Sequence, residues 1–167
     1  SISKSVRSDL GVHGYVKPVL EAVLPFVKPA EHTGWIEQVN RWKERFPFTY
    51  PKSDDALMPQ FVIEQIDAIS AGKAVVVTDV GQNQMWSAQF FRYTRPRNFI
   101  TSGGLGTMGF GLPAAIGAQF GRRGEPVVCV TGDGGVQMNF QELVVAVEHR
   151  IPIVVVILNN GFLGMVR

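Results

Sequence analysis

Hydrophobic positions along the chain follow two regimes. In the first, between residues 17 and 46, they recur at intervals of three and four: Val19, Leu20, Val23, Leu24 and Val27, then Trp35, Ile36, Val39, Trp42 and Phe46. This spacing gathers side chains on one side of a helix. It predicts a short amphipathic helix over 17–27, ended by Pro29, and a second over 33–46 whose apolar stripe packs in a core or against another domain. PFTYPKSDD then reads as an extended linker. From Pro59 a third helix is predicted to about Ala71. Proline suits its first turn, Val62, Ile63, Ile66 and Ile69 form the buried face, and Gly72 takes the left-handed closing conformation.

Beyond residue 73 the pattern changes. AVVVTDV, PVVCVTG and IPIVVVILNN are continuous β-branched runs without polar alternation, as expected of strands covered on both faces. Between them QMWSAQFF, GFGLPAAIGAQF and NFQELVVAVEHR read as helices. The alternation predicts an α/β fold: a parallel sheet with helices on both faces and right-handed crossovers. Ligands of such sheets bind beyond the carboxyl ends of the strands, where this chain places VGQNQ, TGDGGVQMN and LNNGFLGM.

Composition narrows the function classes. With 46% hydrophobic residues in 167, the chain can bury one core and hardly two. Its 16 basic and 14 acidic residues leave a charge of +2 with no dense basic run, which argues against nucleic-acid binding. The single cysteine, Cys129, lies in an apolar run and reads as a buried structural thiol; an internal disulfide and a multi-cysteine zinc site are excluded. No h-region and no stretch of membrane-spanning length occur, so a soluble, cytoplasmic protein without membrane contact is expected. The chain starts at Ser1 and stops inside the apolar pattern of LGMVR, which suggests a piece of a larger polypeptide. His13, His32 and His149 look like surface histidines.

Eleven of the 18 glycines fall between Gly103 and Gly135, which points to a backbone approached closely by another group. Gly104, Gly106 and Gly109 satisfy G-x-G-x-x-G. A dinucleotide fold also needs an acidic residue about 20 positions on, at the end of the next strand, and Glu125 lies before that strand. The glycines read better as a loop lying against a flat ligand, with Met108 as an apolar support. In VGQNQ, Gly81 opens a turn and Gln82 and Asn83 offer amides to phosphate oxygens. In TGDGG, Asp133 sits among glycines so that its carboxylate and the N–H groups of Gly134 and Gly135 can face one pocket, near a helix expected from about Asn139. Asn159 and Asn160 follow one crossover later, 27 positions from Asp133 to Asn160, and reach the same level if the strands are neighbours. One carboxylate, one amide and a loop carbonyl suit Mg²⁺ that also takes oxygens from a diphosphate. Each loop alone is also an ordinary turn.

At these residues the chain resembles the thiamine diphosphate enzymes, with GDG followed by NN. Within them, VGQNQMW, SGGLGTMGFGLPAAIGA, TGDGGVQMNFQEL and LNNGFLGMV resemble the acetolactate synthase catalytic subunit over residues 58–167. The resemblance implies that the side chains of Asp133 and Asn160 and the carbonyl of Phe162 bind Mg²⁺. Gln82, Asn83, Gly134, Gly135 and Leu163, following Gly81, would line the diphosphate. The Gly106 carbonyl would accept a hydrogen bond from the aminopyrimidine, and Met108 would support the bent cofactor; these two are the residues it implicates in catalysis, through cofactor positioning. The implied reaction is decarboxylation of pyruvate and condensation of the two-carbon unit with a second 2-oxo acid, in branched-chain amino-acid biosynthesis. A related decarboxylase and a binding-only fragment are the alternatives. Asn83 departs from the family, which usually has histidine there.

The resemblance also divides the chain. Residues 1–33 would be the remnant of a central domain that helps bind FAD in the whole enzyme, 34–57 a helix and linker, and 58–167 the thiamine diphosphate and Mg²⁺ domain, truncated at its C-terminus. Partners implied are pyruvate, a second 2-oxo acid, a homo-oligomer with the active site between subunits and a possible regulatory subunit. The glutamate that activates the pyrimidine belongs to an amino-terminal domain of the partner subunit, so this partial chain is expected to be inactive alone.

Overall fold

The computed structural model describes residues 2–167 and divides into two compact units, one up to Pro47 and one from Phe48 to Arg167. In the first unit α1 spans Val16–Val23 and continues as a one-turn 3₁₀ helix, Leu24–Phe26, while α2 spans Thr33–Arg45. The change of pitch comes at Pro25, four residues ahead of the predicted stop, because its ring cannot donate to the α-helical ladder. The α2 stripe does not form a core within this unit. Trp35 is 61% exposed, Phe46 is exposed, and Trp35 and Trp42 stack edge to face on each other at 5.6 Å.

The second unit is the α/β body. α3 covers Pro59–Ser70, with Pro59 in its first turn, and closes through Ala71 (φ 51°) and Gly72 (φ 70°), both left-handed. β1 (Val75–Thr78) leads into α4 (Gln82–Phe90); β2 (Phe99–Ile100) leads through the glycine-rich loop to α5 (Gly111–Gly121). β3 (Val127–Gly132) runs directly into α6 (Asp133–Asn139), then come a 3₁₀ turn, Phe140–Glu142, α7 (Leu143–Glu148) and β4 (Val154–Leu158). All pairings are parallel and the order is β2-β1-β3-β4.

The uninterrupted valine runs have the expected explanation. Successive side chains of a strand point to opposite faces. Val75, Val77, Val127 and Cys129 therefore join Leu112, Ala115, Ile116 and Ala146 under α5 and α7, while Val76, Val128 and Val130 join Ile63 and Phe91 under α3 and α4. Helices on both faces leave the central strands no polar side, so β1 is buried along its whole length. β4 pairs only with β3 among the described residues, and its Val154 and Ile157 are exposed.

Two local expectations are corrected and one strand was not anticipated. β2 has only two residues and carries no periodicity to read. Ile69, assigned to the buried face of α3, is 85% exposed; the face that meets the sheet carries Ile63 and Asp67, whose carboxylate pairs with Arg92 at 2.7 Å. The helix expected from about Asn139 forms as the 3₁₀ turn and α7 but is preceded by an unanticipated one, α6, because GDGG enters a helix at Asp133 instead of forming a separate turn.

Candidate functional site

The strand order places a crevice. From β1 the chain moves outward to β2, then returns to β3 on the other side of β1. The order therefore reverses between β1 and β3, where open parallel sheets leave room for a ligand at the carboxyl ends. A cavity of about 210 Å³ opens there.

Each wall comes from a strand end. After β1, Gly81 turns the chain and Gln82 and Asn83 open α4. Asn83 is buried, and its Oδ1 has no hydrogen-bond partner. After β3, Asp133 is the first residue of α6, so the N–H groups of Gly134 and Gly135 belong to the first helical turn, where backbone donors lack intrahelical acceptors. After β4, register decides the placement: Gly132 pairs with Leu158, which brings the NN loop level with Asp133. Asn160 Nδ2 donates to Gln82 Oε1 at 3.2 Å, and Asn160 Oδ1 accepts the Phe162 N–H at 3.0 Å. Asn159 Oδ1 accepts the Gly161 N–H at 3.1 Å. The two asparagines thus do fold their own loop, as turn formers, while Asn160 also ties it to α4.

The glycine-rich loop closes the cavity. Ser102 Oγ accepts the Thr107 N–H at 3.0 Å, Gly106 is exposed, and Met108 is half-buried against the α6 side. A Cβ added to Gly134 would lie 2.9 Å from Leu163 Cδ2 and 3.8 Å from Met108 Cε, so the glycine keeps these walls close together.

The eleven residues that the resemblance assigns to cofactor or metal line this one cavity: Gly81, Gln82 and Asn83; Gly106 and Met108; Asp133, Gly134 and Gly135; Asn160, Phe162 and Leu163; Asn159 and Gly104, also singled out, do not. Sequence reasoning missed its apolar wall, Trp86, Leu158, Met165 and Val166. It also missed Asp79, a buried carboxylate beneath the loop. Asp79 Oδ1 accepts the N–H groups of Val80 (2.8 Å) and Gly109 (3.0 Å), and Oδ2 accepts that of Gly111 (2.9 Å). Burial, aided by the Asp79 charge, pushes the Cys129 thiol up to about 12, in keeping with the inert thiol expected there. Glu125, the acid that would have served a dinucleotide, sits ahead of β3 and bonds to Arg122 and Arg95, each at 3.1 Å; the Arg122 hydrogen bond holds its carboxyl below the usual range.

Comparison with known proteins now bears on this cavity. Residues 79–167 match the model of the family described as thiamine pyrophosphate enzyme, C-terminal TPP binding domain. The chain belongs to the thiamine pyrophosphate enzymes. Their matched segment begins at Asp79 and includes every loop that lines the cavity. The chain is also 44% identical over 174 residues to the acetolactate synthase isozyme 3 large subunit of Escherichia coli (strain K12), covering 100% of this chain and 30% of that protein. It is 44% identical over 167 residues to the acetolactate synthase large subunit of Lactococcus lactis subsp. lactis (strain IL1403), covering 99% of this chain and 29% of that protein. The chain thus spans less than a third of the length of these curated relatives. Among the described residues no helix is long and apolar enough to cross a membrane.

Proposed function

We infer that this chain is the cofactor-binding portion of an acetolactate synthase catalytic subunit. The whole enzyme would decarboxylate pyruvate and join the two-carbon unit to a second 2-oxo acid, pyruvate or 2-oxobutyrate. The observation that carries this reading is the convergence of four separate segments, with all their assigned residues, on one cavity at the carboxyl edge of the sheet.

The charges in the cavity fit a metal-bridged diphosphate. Among the described residues Asp133 is the only ionisable side chain lining it, and no Lys or Arg is present there to neutralise an anion. A diphosphate placed beside one carboxylate must therefore bring a cation. No cluster of three or more His, Cys, Asp or Glu that could hold a metal occurs among the described residues, so the ion would complete its shell with ligand oxygens, as Mg²⁺ does in phosphate sites. Asp133 and Asn160 would contribute side-chain oxygens and Phe162 its carbonyl. Asn160 Oδ1, which accepts one N–H, retains a second lone pair.

Gln82, Asn83 and Leu163, with the N–H groups of Gly134 and Gly135, would hold the diphosphate. Asn83 would serve through its Nδ2 donor; its buried, unpartnered Oδ1 is an acceptor and takes no part in holding the anion. The Gly106 carbonyl would accept from the aminopyrimidine and Met108 would support the rings, orienting the cofactor at its reacting end. When bound, thiamine diphosphate supplies the acidic thiazolium carbon and the electron sink needed to cleave the bond to a 2-oxo acid's carboxylate. Trp86, Leu158, Met165 and Val166 would give that side of the cavity an apolar lining.

We extend the reading to the rest of the enzyme. Residues 1–33 would end a central domain that helps bind FAD, 34–57 would connect, and 58–167 would form the cofactor domain. The active site would lie between subunits of a cytoplasmic homo-oligomer, with the activating glutamate on the partner and a regulatory subunit as a further partner. The test is product analysis of the full-length enzyme with pyruvate, Mg²⁺ and thiamine diphosphate. Acetolactate is expected; acetaldehyde without acetolactate would instead identify a decarboxylase.

A further inference from the structure

The carbonyl and the N–H of Gly109 are held from opposite sides. Its N–H donates to Asp79 Oδ1 at 3.0 Å, and its carbonyl accepts Asn139 Nδ2 at 2.9 Å. Asp79 follows β1 and Asn139 ends α6, so the contacts join the two elements flanking the crevice through one residue of the loop between them. Neither side chain lines the cavity, whereas Met108, the residue immediately before Gly109, does.

The fit around this point is tight. Gly109 has φ 84°, and a Cβ there would lie 2.7 Å from Asn139 Nδ2. A Cβ on Gly135 would lie 2.5 Å from Asp79 Oδ1, and one on Gly111 2.7 Å from the Asp79 nitrogen. Asp79 is 1% exposed, and its carboxylate has three N–H donors. Hydrogen bonds to a buried carboxylate are charge-assisted and costly to leave unmade, so the loop has little freedom to withdraw from β1.

We propose that Asp79 and Asn139 are positioning residues which clamp Gly109 and thereby fix Met108 and Gly106 relative to the Asp133 turn. The clamp rests on the proposed assignment of Met108 and Gly106 to the ring end of the cofactor. It divides the site into a diphosphate end, carried by α6 and the NN loop, and a ring end whose placement depends on Gly109.

The test uses the full-length enzyme with Mg²⁺ and two calorimetric probes, thiamine diphosphate and inorganic pyrophosphate. Asn139→Ala is expected to weaken thiamine diphosphate by about tenfold or more, the scale of 1.4 kcal/mol, while pyrophosphate changes by less than about twofold. The effect is expected to fall below about threefold when Met108→Ala is already present, because residues acting through one another are not additive. Asn139→Asp keeps the shape but faces the Gly109 carbonyl with a carboxylate, and should act in the same direction. Equal loss for both probes, no loss for either, or an undiminished effect in the Met108→Ala background would overturn the proposal. Hydrogen exchange of residues 102–111 in the ligand-free enzyme decides the clamp independently. It should quicken in Asn139→Ala while β1 and β3 stay protected, and unchanged exchange would refute the clamp. If the unsubstituted enzyme bound neither probe, the cofactor reading would fail while the exchange result still decided the clamp.

Discussion

A buried carboxylate must find donors, and at Asp79 three backbone N–H groups supply them. That arrangement shows which single residues could be read in advance. Asp133 and Asn160 stood out because their chemistry is exposed by their neighbours: glycines around an acid, and paired amides after an apolar run. Asp79 looked like the ordinary polar end of a strand, because two of its three partners lie 30 and 32 positions away. Asn83 was legible as an amide near the site, but its buried, unpartnered oxygen was not. Cys129 was legible in full, since a lone thiol in a valine run has no polar partner to meet. With its thiol pushed up to about 12, the reactive thiolate is suppressed in the folded state at pH 8, whereas an unfolded thiol titrates near ~8.5. Native protein should therefore resist alkylation at Cys129 at pH 8 and become labelled on denaturation, as measured by mass spectrometry. Rapid labelling of the native state would contradict the burial. The sign of the linkage follows: this thiol favours the fold at neutral pH, and its contribution declines as pH rises above the unfolded value.

At the scale of elements, long apolar runs were easy to place and short or mixed ones were not. β1, β3 and β4 declared themselves because both faces of the sheet demand apolar residues. β2 did not, since two residues, Phe99 and Ile100, hold no pattern. α6 was hidden because glycine-rich sequence suggests a turn, while its start at Asp133 depends on β3 passing straight into a helix. In α3 the spacing of isoleucines was read correctly as helical, but the choice of face was wrong at Ile69. The helix meets the sheet through Ile63, beside Ala74 and Val76, and Asp67 shares that side through its bond to Arg92. The two isoleucines are thus expected to differ sharply on substitution. Ile63→Ala should cost about 2–5 kcal/mol, whereas Ile69→Ala should stay within about 0.5 kcal/mol, both read from urea unfolding of the full-length enzyme. Equal losses would contradict the orientation of α3.

At the scale of the whole molecule, the site follows from topology. Reversal of strand order between β1 and β3 sets the crevice, and the parallel register of β3 with β4 brings Asn160 level with Asp133. The sequence supplied the fold class and the four loops, but the strand order came from the structure, and with it the cavity that joins the loops. The first unit shows the limit of periodicity: its stripes form helices, yet Trp35, Ile36 and Phe46 remain exposed within it. Helical spacing tells which side is apolar and not what covers it. The central claim is that the cavity takes a diphosphate only together with a metal, because Asp133 is its sole charge. Calorimetric titration of the full-length enzyme with thiamine diphosphate, with and without Mg²⁺ and with Asp133→Ala, tests this most directly. Binding should require Mg²⁺ and weaken by about tenfold or more in the variant, a loss of at least about 1.4 kcal/mol. Equal affinity with and without the metal would contradict it.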